Sequence, residues 1–321
     1  MPMNLSISSF KRLPSAFLLA VLLITCCEYA VSKKFGGFFF SHEVDQRIQQ
    51  LKTTQYNVEY VLIGDSVGLQ LFSQYYPDPR FAVLATNQAI EMTGQYFFIR
   101  RFLEKNPPPK AVIFTGLPFI SQNLNQAVTE NFVLRVFTNW SEIYEVFRAK
   151  YDVTMAAKTI AYKTLFSYKH KLQLQKKILG FTNANMYSGV DTKNSAFKYD
   201  MYSLLKIYRK MKQRRTNSAL FHFEKLLSLL REKGIDFYCL PAPIQKKNKY
   251  AQRKYNKMFS DVFPEIEREY SNFFWGKYYK KYPANLFRDL VHFNEEGLVL
   301  ANKLLKEQVY FVMRSSSGRR Q

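Results

Sequence analysis

Cysteine is scarce in this chain, and its placement matters more than its number. Of three cysteines, Cys26 and Cys27 fall in an apolar N-terminal stretch and Cys239 alone lies in the body. No disulfide is therefore available within the body, whose fold must be held by a packed core. Cys239, inside Phe237-Tyr238-Cys239-Leu240, reads as a buried strand residue and not as a nucleophile. Acidic residues are also few: 25 Asp and Glu stand against 47 Lys and Arg, a formal net charge of +22. That surplus fits nucleic acid, anionic lipid or an anionic glycopolymer, and it equally fits a generally basic surface with no dedicated partner. No internal repeat is visible. Apolar and aromatic residues are abundant, at 47% and 17%. This excludes a disordered chain and lets 321 residues bury a sizeable core as one large or elaborated domain.

The partner classes separate at the N-terminus. Lys11-Arg12 precede an uncharged apolar run from Ala16 to Cys27, which resumes after Glu28 as Tyr29-Ala30-Val31. A positive flank before an apolar core is the pattern of an export signal, with the positive end left in the cytoplasm. Residues 1–35 are therefore expected to form a signal or membrane anchor, and 36–321 an extracytoplasmic domain on the periplasmic or cell-surface side. A nucleic-acid partner is disfavoured. A cleaved signal, an uncleaved anchor and a lipoprotein all fit the run. Leu23-Ile24-Thr25-Cys26 has the outline of a lipobox, but with Thr25 where a smaller residue is usual. An uncleaved anchor is favoured, because no small-x-small cleavage site follows the core.

The body is organised around Tyr60-Val61-Leu62-Ile63-Gly64-Asp65-Ser66-Val67-Gly68. A buried-strand run ends in a small polar turn and resumes with helical spacing, which reads as strand, tight turn, helix. Such a turn lifts the Ser66 hydroxyl to the carboxyl edge of a parallel sheet, where open α/β sheets bind ligands, and beside helix N–H groups that favour an oxyanion. It is also ordinary turn chemistry, with Asp65 or Ser66 as a helix cap. Further strands are expected at 81–87, 110–116 and 235–240. Helices are expected at 94–105, closed by Asn106-Pro107-Pro108-Pro109, and at 218–233, capped by Gly234. Strands and helices alternating at this spacing predict a three-layer α/β fold, a parallel sheet with helices on both faces. From 121 to 217 the alternation is lost, and this stretch, with helical spacing at 146–168, reads as a helical insertion or cap.

More than two hundred residues after Ser66, Asp289-Leu290-Val291-His292-Phe293-Asn294-Glu295-Glu296-Gly297 sets an acid and an imidazole three positions apart before an apolar-periodic helix. A serine is a poor nucleophile until a base takes its proton, and the base works best when a carboxylate fixes its tautomer. Gly64-Asp65-Ser66 near the start and Asp289-x-x-His292 near the end resemble the SGNH, or GDSL, hydrolase superfamily. The longer pattern Asp-x-x-His-Phe-Asn-x-x-Gly behind an anchored N-terminus resembles the branch that includes the D-alanyl transfer protein DltD and the alginate O-acetylation proteins. The resemblance implies a flavodoxin-like SGNH sheet. It also implies Ser66 as nucleophile, His292 as base and Asp289 as its orienter, with Asn87, Gly94 and Asp65 as oxyanion or substrate-binding candidates. No metal and no cofactor is implied. Where the family carries a third block with an oxyanion-binding asparagine, this chain reads Gly116-Leu117-Pro118-Phe119. Loss of such a donor costs on the order of 3 kcal/mol of transition-state stabilisation unless something replaces it.

The function so implied is a membrane-anchored serine acyltransferase or esterase acting on O-acyl groups, acetyl being favoured, of an envelope carbohydrate polymer. Its partners would be an anionic or acylated envelope polysaccharide, the membrane and a membrane-bound acyl-donor protein. The alternative is a non-catalytic scaffold of the same fold that binds polysaccharide or an assembly partner. Lys246 to Tyr250 and Phe273 to Tyr282 mix aromatic and basic side chains, which suits sugar stacking beside acidic groups and equally single-stranded nucleic acid or the lipid interface, though partly buried aromatics on a solvated basic helix would look the same. The Lys11-Arg12 flank makes a topological prediction. A C-terminal alkaline phosphatase fusion is expected to be active and a cytoplasmic fluorescent reporter dark, and the reverse pattern in a stable fusion overturns the orientation.

Overall fold

The structure, a computed structural model, describes residues 7–35, 43–86, 91–117, 133–135, 139–150, 153–171, 174 and 218–318. The chain divides into two compact units, one of residues 1–40 and 157–195 and one of 41–156 and 196–321. The insertion expected at 121–217 is thus split between them, and most of what is described of it is helical.

In chain order the elements begin with α1 (Ile7–Phe35), α2 (Glu43–Thr53), β1 (Tyr60–Gly64), α3 (Ser66–Phe72), β2 (Phe81–Val83), α4 (Glu91–Lys105) and β3 (Ala111–Gly116). Next come α5 (Trp140–Lys150), α6 (Val153–Thr164), α7 (Phe166–Lys169), α8 (Ser218–Glu232), β4 (Asp236–Pro241) and β5 (Ile244–Gln245). The last are α9 (Lys249–Lys257), α10 (Phe263–Glu269), β6 (Phe273–Trp275), β7 (Lys281–Tyr282) and α11 (Glu295–Gly318). In the first unit, Ser15–Phe35 of α1 is 21 residues long, apolar enough to cross a membrane, and not buried within the protein. Its one acid is partnered: the Glu28 carboxylate accepts from the Ser167 N–H of α7 at 2.8 Å and from the Ser167 hydroxyl.

The second unit is built on a five-stranded parallel sheet in the order β2-β1-β3-β4-β6. Successive strand residues point to opposite faces, so each run of apolar residues feeds two cores. Tyr60, Leu62, Ile113, Tyr238 and Leu240 pack with Val67 and Leu71 of α3 and with Ala301, Leu305, Val309 and Val312 of α11. On the opposite face, Phe237 meets Phe223 of α8 edge-on at 5.7 Å, beside buried Leu226, Leu227 and Leu230. Helix α5 is fastened to the helices of the second unit by charge. Glu142, fully buried, accepts from Arg100 and Arg101 of α4, and Glu145 bridges Arg100 to Lys225 of α8. Burial pushes the Glu142 carboxyl up even though both guanidinium groups lower it.

Three sequence expectations change. The ladder expected at 81–87 narrows to Phe81–Val83, although Leu84 N–H donates to Leu62 O at 2.7 Å and Thr86 N–H to Gly64 O at 3.3 Å, prolonging the pairing. The helical spacing at 146–168 is broken into parts of α5, α6 and α7. The aromatics of 273–282, read as a stacking surface, largely finish the sheet edge instead. Phe273 is buried, Phe274 stacks on Tyr238 at 5.0 Å, and Trp275 lies 5.1 Å from Phe259 and 5.3 Å from Phe263. Tyr278 does remain exposed.

The end of β3 is crossed by α3 at glycine distance. A Cβ at Gly68 would lie 2.3 Å from the Thr115 carbonyl oxygen, a backbone atom already fixed in the sheet. Gly68→Ala is therefore expected to destabilise the protein by about 1–3 kcal/mol through overpacking. Denaturant unfolding should show a lower midpoint with an unchanged slope.

Candidate functional site

The site forms where β1 gives way to α3. Asp65 caps the helix from an extended backbone conformation. Its Oδ1 accepts from the Val67 N–H at 2.9 Å and the Gly68 N–H at 3.1 Å, and its Oδ2 accepts from the Leu117 N–H at 2.9 Å. One carboxylate thus joins the start of α3 to the end of β3, and burial raises its pKa even though all three donors lower it. Tyr255, fully buried on α9, donates its hydroxyl to Gly116 O at 2.8 Å, and the Gln95 amide of α4 donates to Gly64 O at 3.0 Å. Both strand ends at the serine turn are therefore held by side chains from outside the sheet.

Ser66 is the first residue of α3, and its hydroxyl faces His292 Nε2 at 2.9 Å. His292 Nδ1 lies 2.8 Å from Asp289 Oδ2. A carboxylate only accepts, so Nδ1–H is the donor to Asp289, and Nε2 is left to accept the Ser66 O–H. The other oxygen of Asp289 accepts from the Val291 N–H at 2.8 Å and the His292 N–H at 2.7 Å. Partial burial pushes this carboxyl up, but those N–H groups and the imidazole outweigh it and hold it below the usual carboxylate range. Asp289 therefore stays ionised across neutral pH, and its orienting role does not titrate there.

The pattern after His292 has local causes. Phe287 and Phe293 form an isolated antiparallel bridge, with ring centroids 4.7 Å apart and both residues buried, which anchors the loop in the core. Asn294 Oδ1 accepts from the Gly297 N–H at 2.9 Å and so caps α11, while its amide donates to Asn285 O at 2.6 Å. A Cβ at Gly297 would sit 2.0 Å from Leu286 O, so only glycine lets α11 start this close to the loop.

No protein-family model matches the chain, and no curated protein matches it.

The structure brings together Ser66, His292 and Asp289, with the relay geometry of a base-activated nucleophile. Asp65 needs correction as an oxyanion or substrate-binding candidate: it is an acceptor, committed to three backbone donors, and holds the turn together. Gly94 lies buried in the first turn of α4, next to Gln95, whose amide reaches the strand end that carries Ser66. Asn87 lies outside the described residues. The backbone supplies one further donor, as the strand-turn-helix pattern leads one to expect. As first residue of α3, Ser66 has an N–H with no intrahelical acceptor, and the Asp65 carboxylate accepts from the two after it. Among the described residues no group of three or more His, Cys, Asp or Glu side chains comes together as a metal site. Cys239 is buried in β4, and burial pushes its thiol far up, away from the reactive thiolate.

The two readings of Asp65 differ in what its loss does. Asp65→Ala leaves three N–H groups without their acceptor, so stability is expected to fall by about 2 kcal/mol or more. If Asp65 instead bound substrate, the variant would keep its stability and raise KM. Thermal unfolding set beside ester kinetics separates these outcomes.

Proposed function

We propose that the protein is a serine acyltransferase or esterase of SGNH type, anchored in a membrane by α1, with its second unit outside the cytoplasm. The observation that carries this reading is the continuous relay from Ser66 to His292 to Asp289, at 2.9 and 2.8 Å, assembled from residues 226 positions apart in the chain. Counted within the main sheet, the strand order is that of a flavodoxin-like doubly wound sheet, and the serine stands at the carboxyl end of β1, where such sheets bind ligands.

In the proposed reaction the Ser66 hydroxyl attacks the carbonyl carbon of an O-acyl group while its proton passes to His292 Nε2. The resulting imidazolium is stabilised by the ionised Asp289. The negative charge on the carbonyl oxygen is met by the Ser66 N–H, the one N–H of the first turn of α3 that Asp65 does not take. As the carbon–oxygen bond to the leaving alcohol breaks, the imidazolium returns the proton to that oxygen, leaving an acyl-serine. A second hydroxyl, from a sugar or from water, then gives its proton to Nε2 and takes the acyl group, restoring Ser66. The substrate class is an O-acylated envelope polysaccharide, with acetyl as the favoured group. The +22 net charge supports an anionic polymer or an anionic lipid surface as partner.

A scaffold reading draws on one observation. The Leu117 N–H, which stands where the family's third block would follow, is taken by Asp65 and supplies nothing to an oxyanion. Reaction with a fluorophosphonate probe separates the two readings, since an enzyme labels at Ser66 and a scaffold does not. Ser66→Ala and His292→Ala are each expected to abolish turnover of a small acetyl ester, and the double variant to lose little more than either alone. Asp289→Asn is expected to be milder, because the imidazole remains and loses only the partner that sets its tautomer. Wild-type turnover in a folded Ser66→Ala protein removes the serine mechanism.

A further inference from the structure

The Ser66 helix and the His292 loop come from opposite ends of the chain, and one side chain joins them beside the reacting atoms. Gln70 lies one helical turn after Ser66 on α3, on the same face. Its Nε2 donates to Phe293 O at 2.8 Å, and its Oε1 accepts from the Phe293 N–H at 3.1 Å. Both polar ends of the amide are thereby used by the main chain of the residue that follows His292. A backbone pair in an antiparallel sheet makes the same two-way exchange. We propose that Gln70 is a positioning residue that sets the separation between Ser66 and His292.

The inference rests on the functional reading above, and its physical basis is the way the two halves are held. Helix α3 takes its position from the Asp65 turn and from its close crossing of Thr115, whereas the loop takes its position from the Phe287–Phe293 bridge and the Asn294 cap. Apolar packing of α3 on α11 brings the halves together but tolerates small slides. Two opposed hydrogen bonds to the main chain of one residue fix both translation and rotation, one residue from the imidazole. Glutamine alone among side chains of its length offers a donor and an acceptor on one planar group. Ionised glutamate would present a second acceptor to Phe293 O, methionine keeps the shape and neither bond, and asparagine is one methylene short.

The test uses the full chain with Gln70→Met and Gln70→Glu. Active sites are counted by fluorophosphonate titration, so that kcat is expressed per competent site and a loss of folded protein does not imitate a loss of rate. Both variants are expected to lose about tenfold to a hundredfold in kcat per titrated site, the scale set by misplacing reacting groups by about 1 Å. KM for a small ester should hold within about twofold, since the ester's own contacts are untouched. Unchanged kcat per titrated site overturns the proposal. A second readout needs no turnover. In a crystal structure of Gln70→Met, the Nε2 to Oγ separation is expected to open beyond about 3.3 Å, outside ordinary hydrogen-bond range. A separation still at 2.9 Å overturns the proposal even if the wild-type protein proves inactive, the result that would defeat the catalytic reading instead.

Discussion

A buried carboxylate that accepts three backbone N–H groups is the constraint on which the rest of the site depends. Asp65 cannot serve Val67, Gly68 and Leu117 together unless α3 starts hard against the end of β3. That closeness accounts for the glycines around it. At Gly64 and Gly68 a Cβ would run into Thr115 O, and at Gly116 it would press on the Asp65 carboxylate itself. The Gly-Asp-Ser turn is therefore a packing rule. The energy of burying the carboxylate is offset by the three donors, and the turn so held sets the Ser66 hydroxyl facing His292 Nε2.

The second half of the site applies the same economy to a loop. Asp289 uses one oxygen to close the loop on the N–H groups of Val291 and His292 and the other to fix the imidazole tautomer. Loop shape and base orientation are consequently one property, not two. Phe293, Asn294 and Gly297 carry the fixed point outward into the core, the helix cap and the close passage of Leu286 O. The amide of Gln70 then sets this assembly against the first one.

The Ser66–His292–Asp289 cluster and the central strands were legible in the sequence because both are written in local patterns. β1, β3 and β4 are short runs of aliphatic and aromatic residues bounded by turn formers, and Asp289-x-x-His292 is compact enough to be read as a unit. Other parts were not legible, each for a physical reason. β6 is three aromatic residues beside a lysine-rich stretch, and composition alone cannot tell a buried edge strand from an exposed stacking surface. α9 has a dominant charged and polar face, with Ala251 and Tyr255 among its few buried small or aromatic residues. Asp65 was read both as a helix cap and as a substrate-binding candidate, and only its three main-chain donors, one of them the distant Leu117 N–H, decide for the cap. Gln70 reads as an ordinary polar position on an amphipathic helix until Phe293, 223 residues away, is placed opposite it.

The separation of 226 residues between Ser66 and His292 also has a consequence in time. Chains are made N-terminus first, and contacts between distant segments close late in folding. While the chain is being synthesised, the Ser66 hydroxyl is without its hydrogen bond to His292, since neither the imidazole nor the Asp289 carboxylate that orients it has yet been made. The relay is therefore assembled only with completion of the fold. A chain cut anywhere before Asp289 loses the imidazole and its carboxylate in one event.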